Sequence, residues 1–161
     1  MPVAVLISVG VAAMIFAATY YITATDEAGS EGARVSFLLD DGSTLDIQCE
    51  VADSYFEKVQ GLQGREDLPA GTGMLFVYDE PQRVAFIMPD MNFPLDIVFV
   101  AENGTVLNVE EADVEPPGTP HSELVRYRSD GEARWVVEIN QGLSREHGIG
   151  PGTQVIVRVP S

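Results

Sequence analysis

The side chains able to do acid–base work in this sequence are Asp90, Asp96, Glu138, His121 and His147. Asp96 and Glu138 both sit inside apolar runs, where a hydrolase could use them as acid and base, although a structural partner explains each equally well. No serine–histidine or cysteine–histidine arrangement can be argued from spacing, because such triads assemble in space and have no local motif here. Met88-x-x-Met91, with Met74 upstream, offers soft thioethers of the kind that hold copper(I), while methionines on apolar strands more commonly fill core space. Gly148-Ile149-Gly150-Pro151-Gly152 lacks the Lys-Ser/Thr ending of a phosphate loop, and Asp40-Asp41-Gly42 is a turn rather than a calcium loop. Neither a cofactor nor a metal is expected, and no catalytic residue is assigned.

The remaining chemistry is recognition. Residues 112–123 carry Pro116, Pro117, Gly118 and Pro120, which makes a stiff loop able to hold a surface in shape. Packed beside residues 88–94, it would wall a groove with Arg65 and Asp96 at its floor. Arg65, Met88, Asp90, Asn92, Asp96, Pro117 and His121 are the candidate ligand-binding residues on this reading. Asp96 is the sharpest of them. The run Leu95-Asp96-Ile97-Val98-Phe99-Val100 is apolar on both faces of a strand, so both faces are covered and the carboxylate is buried. A buried carboxylate needs a partner. Arg65 is the first candidate for that role, and backbone amides are the second.

The elements that must carry these residues read mostly with a period of two. Residues 34–39 and 44–51 flank Asp40-Asp41-Gly42-Ser43, and residues 95–100 and 106–110 flank Glu102-Asn103-Gly104, giving two hairpins. Residues 74–78, 84–88, 134–139 and 154–159 complete about eight short strands. Ser54-x-x-Glu57 is a capping box that opens a short helix ended by Gly61 or Gly64. A second short helix is predicted from near Asn140 to Gly148. Many short strands with few helices predict a mainly β domain, a small sandwich or closed barrel, spanning residues 34–161. Cys49 lies on the Leu45-Ile47-Cys49-Val51 alternation and reads as a small buried hydrophobe.

Aspartate and glutamate total 25 against nine basic residues, for a net charge of −16, and Lys58 is the only lysine. That field repels polyanions and argues against nucleic acid as a partner. At molar salt the screening length falls to about 3 Å and the self-repulsion largely disappears, so this surface suits a halophilic protein. None of the charges precedes Asp26. As a helix, residues 2–25 would extend roughly 36 Å, enough to cross a bilayer core of about 30 Å. A single-pass anchor is the favoured reading and a cleaved signal is the competing one. A short N-terminus carrying only an amine is expected to stay in the cytoplasm, which leaves residues 26–161 outside it at the cell membrane, with residues 26–33 as an acidic, Gly/Ser-containing tether. Asn103-Gly104-Thr105 has the N-glycosylation pattern of exported proteins, although Asn-Gly is equally a turn signal. A glycan or an envelope protein segment is then the expected ligand.

Several blocks occur in a familiar order: Val51-Ala52-Asp53-Ser54, Gln60-Gly61-Leu62-Gln63-Gly64-Arg65, Gly73-Met74-Leu75-Phe76-Val77, Phe93-Pro94-Leu95-Asp96-Ile97-Val98-Phe99, and His147-Gly148-Ile149. Together they resemble the family called domain of unknown function 192, over roughly residues 45–158. The resemblance implies a compact, mainly β domain, often behind an export signal or anchor, with no agreed activity. Arg65, Met88, Pro94 and Asp96 fall on matching positions. The family's usual Phe-Trp-Met-Lys-Asn-Thr stretch reads Phe86-Ile87-Met88-Pro89-Asp90-Met91 here, which implies a different partner if that stretch binds one.

Overall fold

The computed structural model describes residues 32–160. In chain order these form β1 (Ala33–Leu38), β2 (Thr44–Ala52), α1 (Tyr55–Gln60), β3 (Thr72–Gln82), β4 (Ala85–Phe86), β5 (Leu95–Val100), β6 (Val106–Ala112), β7 (Tyr127–Arg128), β8 (Ala133–Asn140), α2 (Leu143–Glu146) and β9 (Gln154–Arg158). Seven strands make one sheet in the order β6-β5-β8-β3-β2-β1-β9, and β4 pairs with β7 in a separate ribbon. The fold is mainly β, as the period-two pattern predicts, with two short helices. It is one curled sheet, a half-barrel, and not a sandwich of two packed sheets. The sheet curls far enough that β9 touches the start of β6 at a Thr105–Gln154 bridge.

That bridge depends on a glycine. Gly104 has φ 79°, and a Cβ placed there would lie 2.6 Å from the Val155 carbonyl oxygen. The Val155 amide donates to the Gly104 carbonyl at 2.7 Å, so the two backbones touch where a side chain would stand. Gly104→Ala is expected to cost roughly 1–3 kcal/mol, from the positive φ and the lost seam together. Urea melts measure it; an unchanged midpoint would show the seam to be dispensable. The neighbouring Asn103 is exposed and its Oδ1 accepts from the Thr105 amide at 3.1 Å, a turn-forming contact.

One face of the sheet is covered along its whole width and the other over β3, β8 and β5, whereas the outward residues of β1 and β9, such as Arg34 and Ile156, are exposed. On the concave side Val35, Phe37, Ile47, Leu75, Val98, Val137 and Ile139 pack together. Met74, Phe76, Leu95, Ile97, Phe99 and Val136 form a second core on the other side, with Leu62, Leu68, Met88, Met91 and Tyr127 laid over them. All six residues of β5 are buried, as its two-faced apolar pattern requires. Cys49 belongs to the concave core, where burial pushes its thiol up to about 12.

The second core owes its cover to topology. β2 and β3 run parallel, with Gln48–Ala52 beside Thr72–Phe76. A parallel pair needs a crossover, so the chain between them must pass over one face of the sheet. Residues 53–71 make that passage and carry α1. The capping box forms as the sequence predicts: the Glu57 amide donates to Ser54 Oγ, and the Ser54 amide donates to the Glu57 carboxylate at 3.0 Å. Gly61, at φ 48°, ends the helix.

Three elements depart from the sequence reading. The third strand extends at both ends, to Thr72–Gln82. The run at 84–88 is strand only at Ala85–Phe86, held by β7, a two-residue strand that periodicity could not register. The second helix is a single turn, because Asn140 stays in β8 opposite Leu95 and Gly142 turns the chain with φ 88°. The segment 1–25, read as an anchor or signal, lies outside the described residues. Among those described, no helix is long and apolar enough to cross a membrane.

Candidate functional site

The crossover and the β4 segment stand apart above the second core and leave a pocket of about 430 Å³. That volume lies within the ordinary range for small-ligand sites, roughly 300–1,000 Å³. Residues 58–63 form one wall, Ala85 to Pro89 with Met91 form another, Phe76, Tyr78 and Glu138 rise from the sheet, and His121 reaches in from the proline-rich loop. Phe86 anchors the aromatic part. Its ring stacks edge-on against Phe76 at 4.9 Å and against Phe99 at 6.0 Å between centroids.

Glu138 is the unusual member. It sits on β8 opposite Met74 of β3 and Ile97 of β5, so it shares the face of the second core. The residue is 5 % exposed. Its carboxyl has no hydrogen bond or ion pair among the described residues. Burial raises it to about 8, so the acid is largely neutral at pH 7. The Tyr78 phenol is pushed up to about 12, first by burial and then by the Glu138 charge. Lys58 places its ammonium 5.3 Å from the Tyr78 ring centroid and donates to the Asp53 carbonyl.

Of the residues selected from sequence, Met88 and His121 line this pocket; Arg65, Asp90, Asn92, Asp96 and Pro117 do not. The expected Arg65–Asp96 floor is therefore replaced by Glu138. Arg65 pairs with Glu50 of β2 through two contacts of 2.5 and 2.7 Å, which clamps the crossover to the sheet and lowers the Glu50 carboxyl below its usual range. Asn92 donates to the Arg65 carbonyl at 2.7 Å and so ties the two walls together. Pro117 lies exposed in the turn closed by Thr119 donating to Pro116. Asp90 is the one non-glycine residue among those described with positive φ, at 51°. Asparagine and aspartate both tolerate that conformation, so the aspartate keeps the turn where the family pattern has an amide. The other three departures from that pattern, Ile87, Pro89 and Met91, line the pocket.

Asp96 is fully buried, as read from sequence, but its partners are the second candidates and not Arg65. Its carboxylate accepts from the Gly142 amide at 3.1 Å and the Ser144 amide at 2.8 Å, capping the start of α2. It lies opposite Ile139, one residue from Glu138, so the two acids project from opposite faces of the sheet. The two carboxylates therefore do not share one pocket. Met88 and Met91 are buried in the second core and both border the pocket. Among the described residues no three His, Cys, Asp or Glu side chains cluster to hold a metal ion.

Sequence reasoning missed Phe76, Tyr78, Phe86 and Lys58 as pocket residues. The signal for Glu138 was present: the argument that buries Asp96 in a strand apolar on both faces applies equally to Val136-Val137-Glu138-Ile139.

Fold and site together define a half-barrel domain with a ligand-sized pocket under a βαβ crossover. The chain belongs to the DUF192 family, described as uncharacterized ACR, whose pattern matches residues 37–157. No curated protein matches it. A crystal structure of a "putative transcription regulator" from Sinorhizobium meliloti 1021 is similar, with 31 % identity and a TM-score of 0.69 over 78 % of this chain and 92 % of that one. A protein of unknown function from Novosphingobium aromaticivorans DSM 12444 is also similar, with 30 % identity and a TM-score of 0.67 over 76 % of this chain and 83 % of the other.

Proposed function

We propose that this domain is a binding module, tethered outside the cytoplasm by residues 1–25, whose pocket over Glu138 receives a group from an envelope protein segment. The observation that carries the reading is a buried carboxyl without a hydrogen-bond or ion-pair partner among the described residues, facing a pocket of mixed apolar, aromatic and polar walls. A protein interior ordinarily pairs such a group, and an acid shifted by burial and open to a pocket is a marker of functional sites. The rim supports a protein ligand over a glycan. α1 buries none of its residues, and Tyr55, Phe56 and Val59 stand 75 %, 83 % and 55 % exposed, with Val59 at the pocket itself. Such a patch suits a partner with an apolar flank. The net charge of −16 does not favour nucleic acid, so the regulator description of the Sinorhizobium protein is not carried over.

Amide NMR of the full chain, titrated with peptides from envelope proteins and with neutral oligosaccharides, tests the reading. Shifts confined to residues 58–63 and 85–91 on peptide addition are expected. Oligosaccharides acting there instead would favour a glycan ligand, and no pocket response to either set would refute the module. The halophile reading is supported by the same charge count. Thermal midpoints are expected to rise on the order of 10 °C, a few kcal/mol, between dilute buffer and molar sodium chloride. A midpoint as high without salt would defeat it.

A further inference from the structure

We infer that the group this pocket takes is an organic ammonium, such as a lysine side chain, with Glu138 as its counter-ion and the aromatic walls as its cage. The inference rests on the pocket's being a binding site and specifies what binds. Glu138 supplies up to four acceptor sites once ionised and has no donor among the described residues, so the complementary ligand group is a donor with positive charge. Phe76, Tyr78 and Phe86 line the same space, and ring faces attract cations. The chain already shows the preference: Lys58 sets its own ammonium 5.3 Å from the Tyr78 centroid. Met88 and Met91 add polarizable thioethers that fit the alkyl stem of a lysine. The acidic field of the whole molecule draws such a ligand in.

The inference has a proton balance. Below about pH 8 the empty pocket holds the neutral acid, so binding an ammonium displaces one proton from Glu138 to solvent and leaves a carboxylate–ammonium pair. The other titratable groups lining the pocket are Tyr78, Lys58 and His121. Affinity is expected to rise about tenfold from pH 6 to pH 7 and to level off above pH 8.

The test compares Nα-acetyl-lysine methylamide with its norleucine counterpart, which has no ammonium, on the full chain at fixed ionic strength. NMR locates binding, and calorimetry in buffers of different ionisation enthalpy counts protons. At least tenfold tighter lysine binding at residues 58–63 and 85–91 is expected, with proton release and a tenfold or greater loss in Glu138→Gln. Equal binding of the two probes without pH dependence would overturn the ammonium while leaving the pocket as a site. Absence of any pocket response to these probes, together with no response to the peptide and oligosaccharide set, would remove both. Where Glu138→Gln does not fold, the lysine–norleucine ratio and the pH profile of the unaltered chain decide alone.

Discussion

Glu138→Met is expected to raise the stability of the domain by roughly 3–5 kcal/mol at pH 8, about 10 °C in the thermal midpoint, and to change it little at pH 4. The sign follows from the direction of the shift. Burial holds the folded acid at about 8, above its ordinary value of 4.5. Below pH 4.5 both folded and unfolded chains carry it neutral, and it takes nothing from stability. As pH rises from 4.5 towards 8, the unfolded chain ionises and the folded one does not, which weakens folding by about 1.4 kcal/mol per pH unit. Above pH 8 the loss is complete. Methionine has a similar length and no charge, and it matches the thioethers already at the pocket. Chemical denaturation of both chains at pH 4, 6 and 8 measures the difference. Equal effects at pH 4 and pH 8 would mean that the carboxyl is solvated or paired. Such a stability cost at a pocket residue is what the proposed ligand role entails.

Asp96→Ala is expected to move stability the other way, with a loss of roughly 3–5 kcal/mol. The carboxylate is fully buried and accepts from two backbone amides at the start of α2. Its removal leaves one buried and one part-buried donor unsatisfied, at about 1–3 kcal/mol each, and adds a small cavity. Asp96→Asn keeps one acceptor oxygen and is expected to lose about half as much. Both variants, once folded, should bind pocket ligands as the parent chain does, because the carboxylate projects from the opposite face of the sheet. Urea melts read the first effect and ligand titrations the second. A loss below about 1 kcal/mol in Asp96→Ala would remove the capping role, and weakened pocket binding with intact stability would return Asp96 to the ligand site.

The parts legible in the sequence are those encoded by near neighbours. The Ser54–Glu57 capping box, the Asn103-Gly104 turn and the double-faced burial of Leu95–Val100 all follow from spacings of a few residues. The parallel pairing of β2 with β3 does not, because it depends on a partner about twenty residues away and leaves no mark on either strand's alternation. Yet that pairing decides which residues become pocket wall. Arg65 illustrates the cost. Its charge and its position in a familiar block suggested a partner for Asp96, whereas the crossover brings it to Glu50. Glu138 was visible as an acid but not as the pocket's floor, since only the sheet order puts it beneath residues 58–63 and 85–91.

The two carboxylates on neighbouring strands therefore divide the labour of the sheet. One surface, closed around its own strands and pinned by Asp96, guards the architecture. The other is roofed by residues 53–71 and 84–91, which lie outside the pairing of the seven-stranded sheet. Substitutions in that roof would reshape the pocket with no need to renegotiate the frame beneath it.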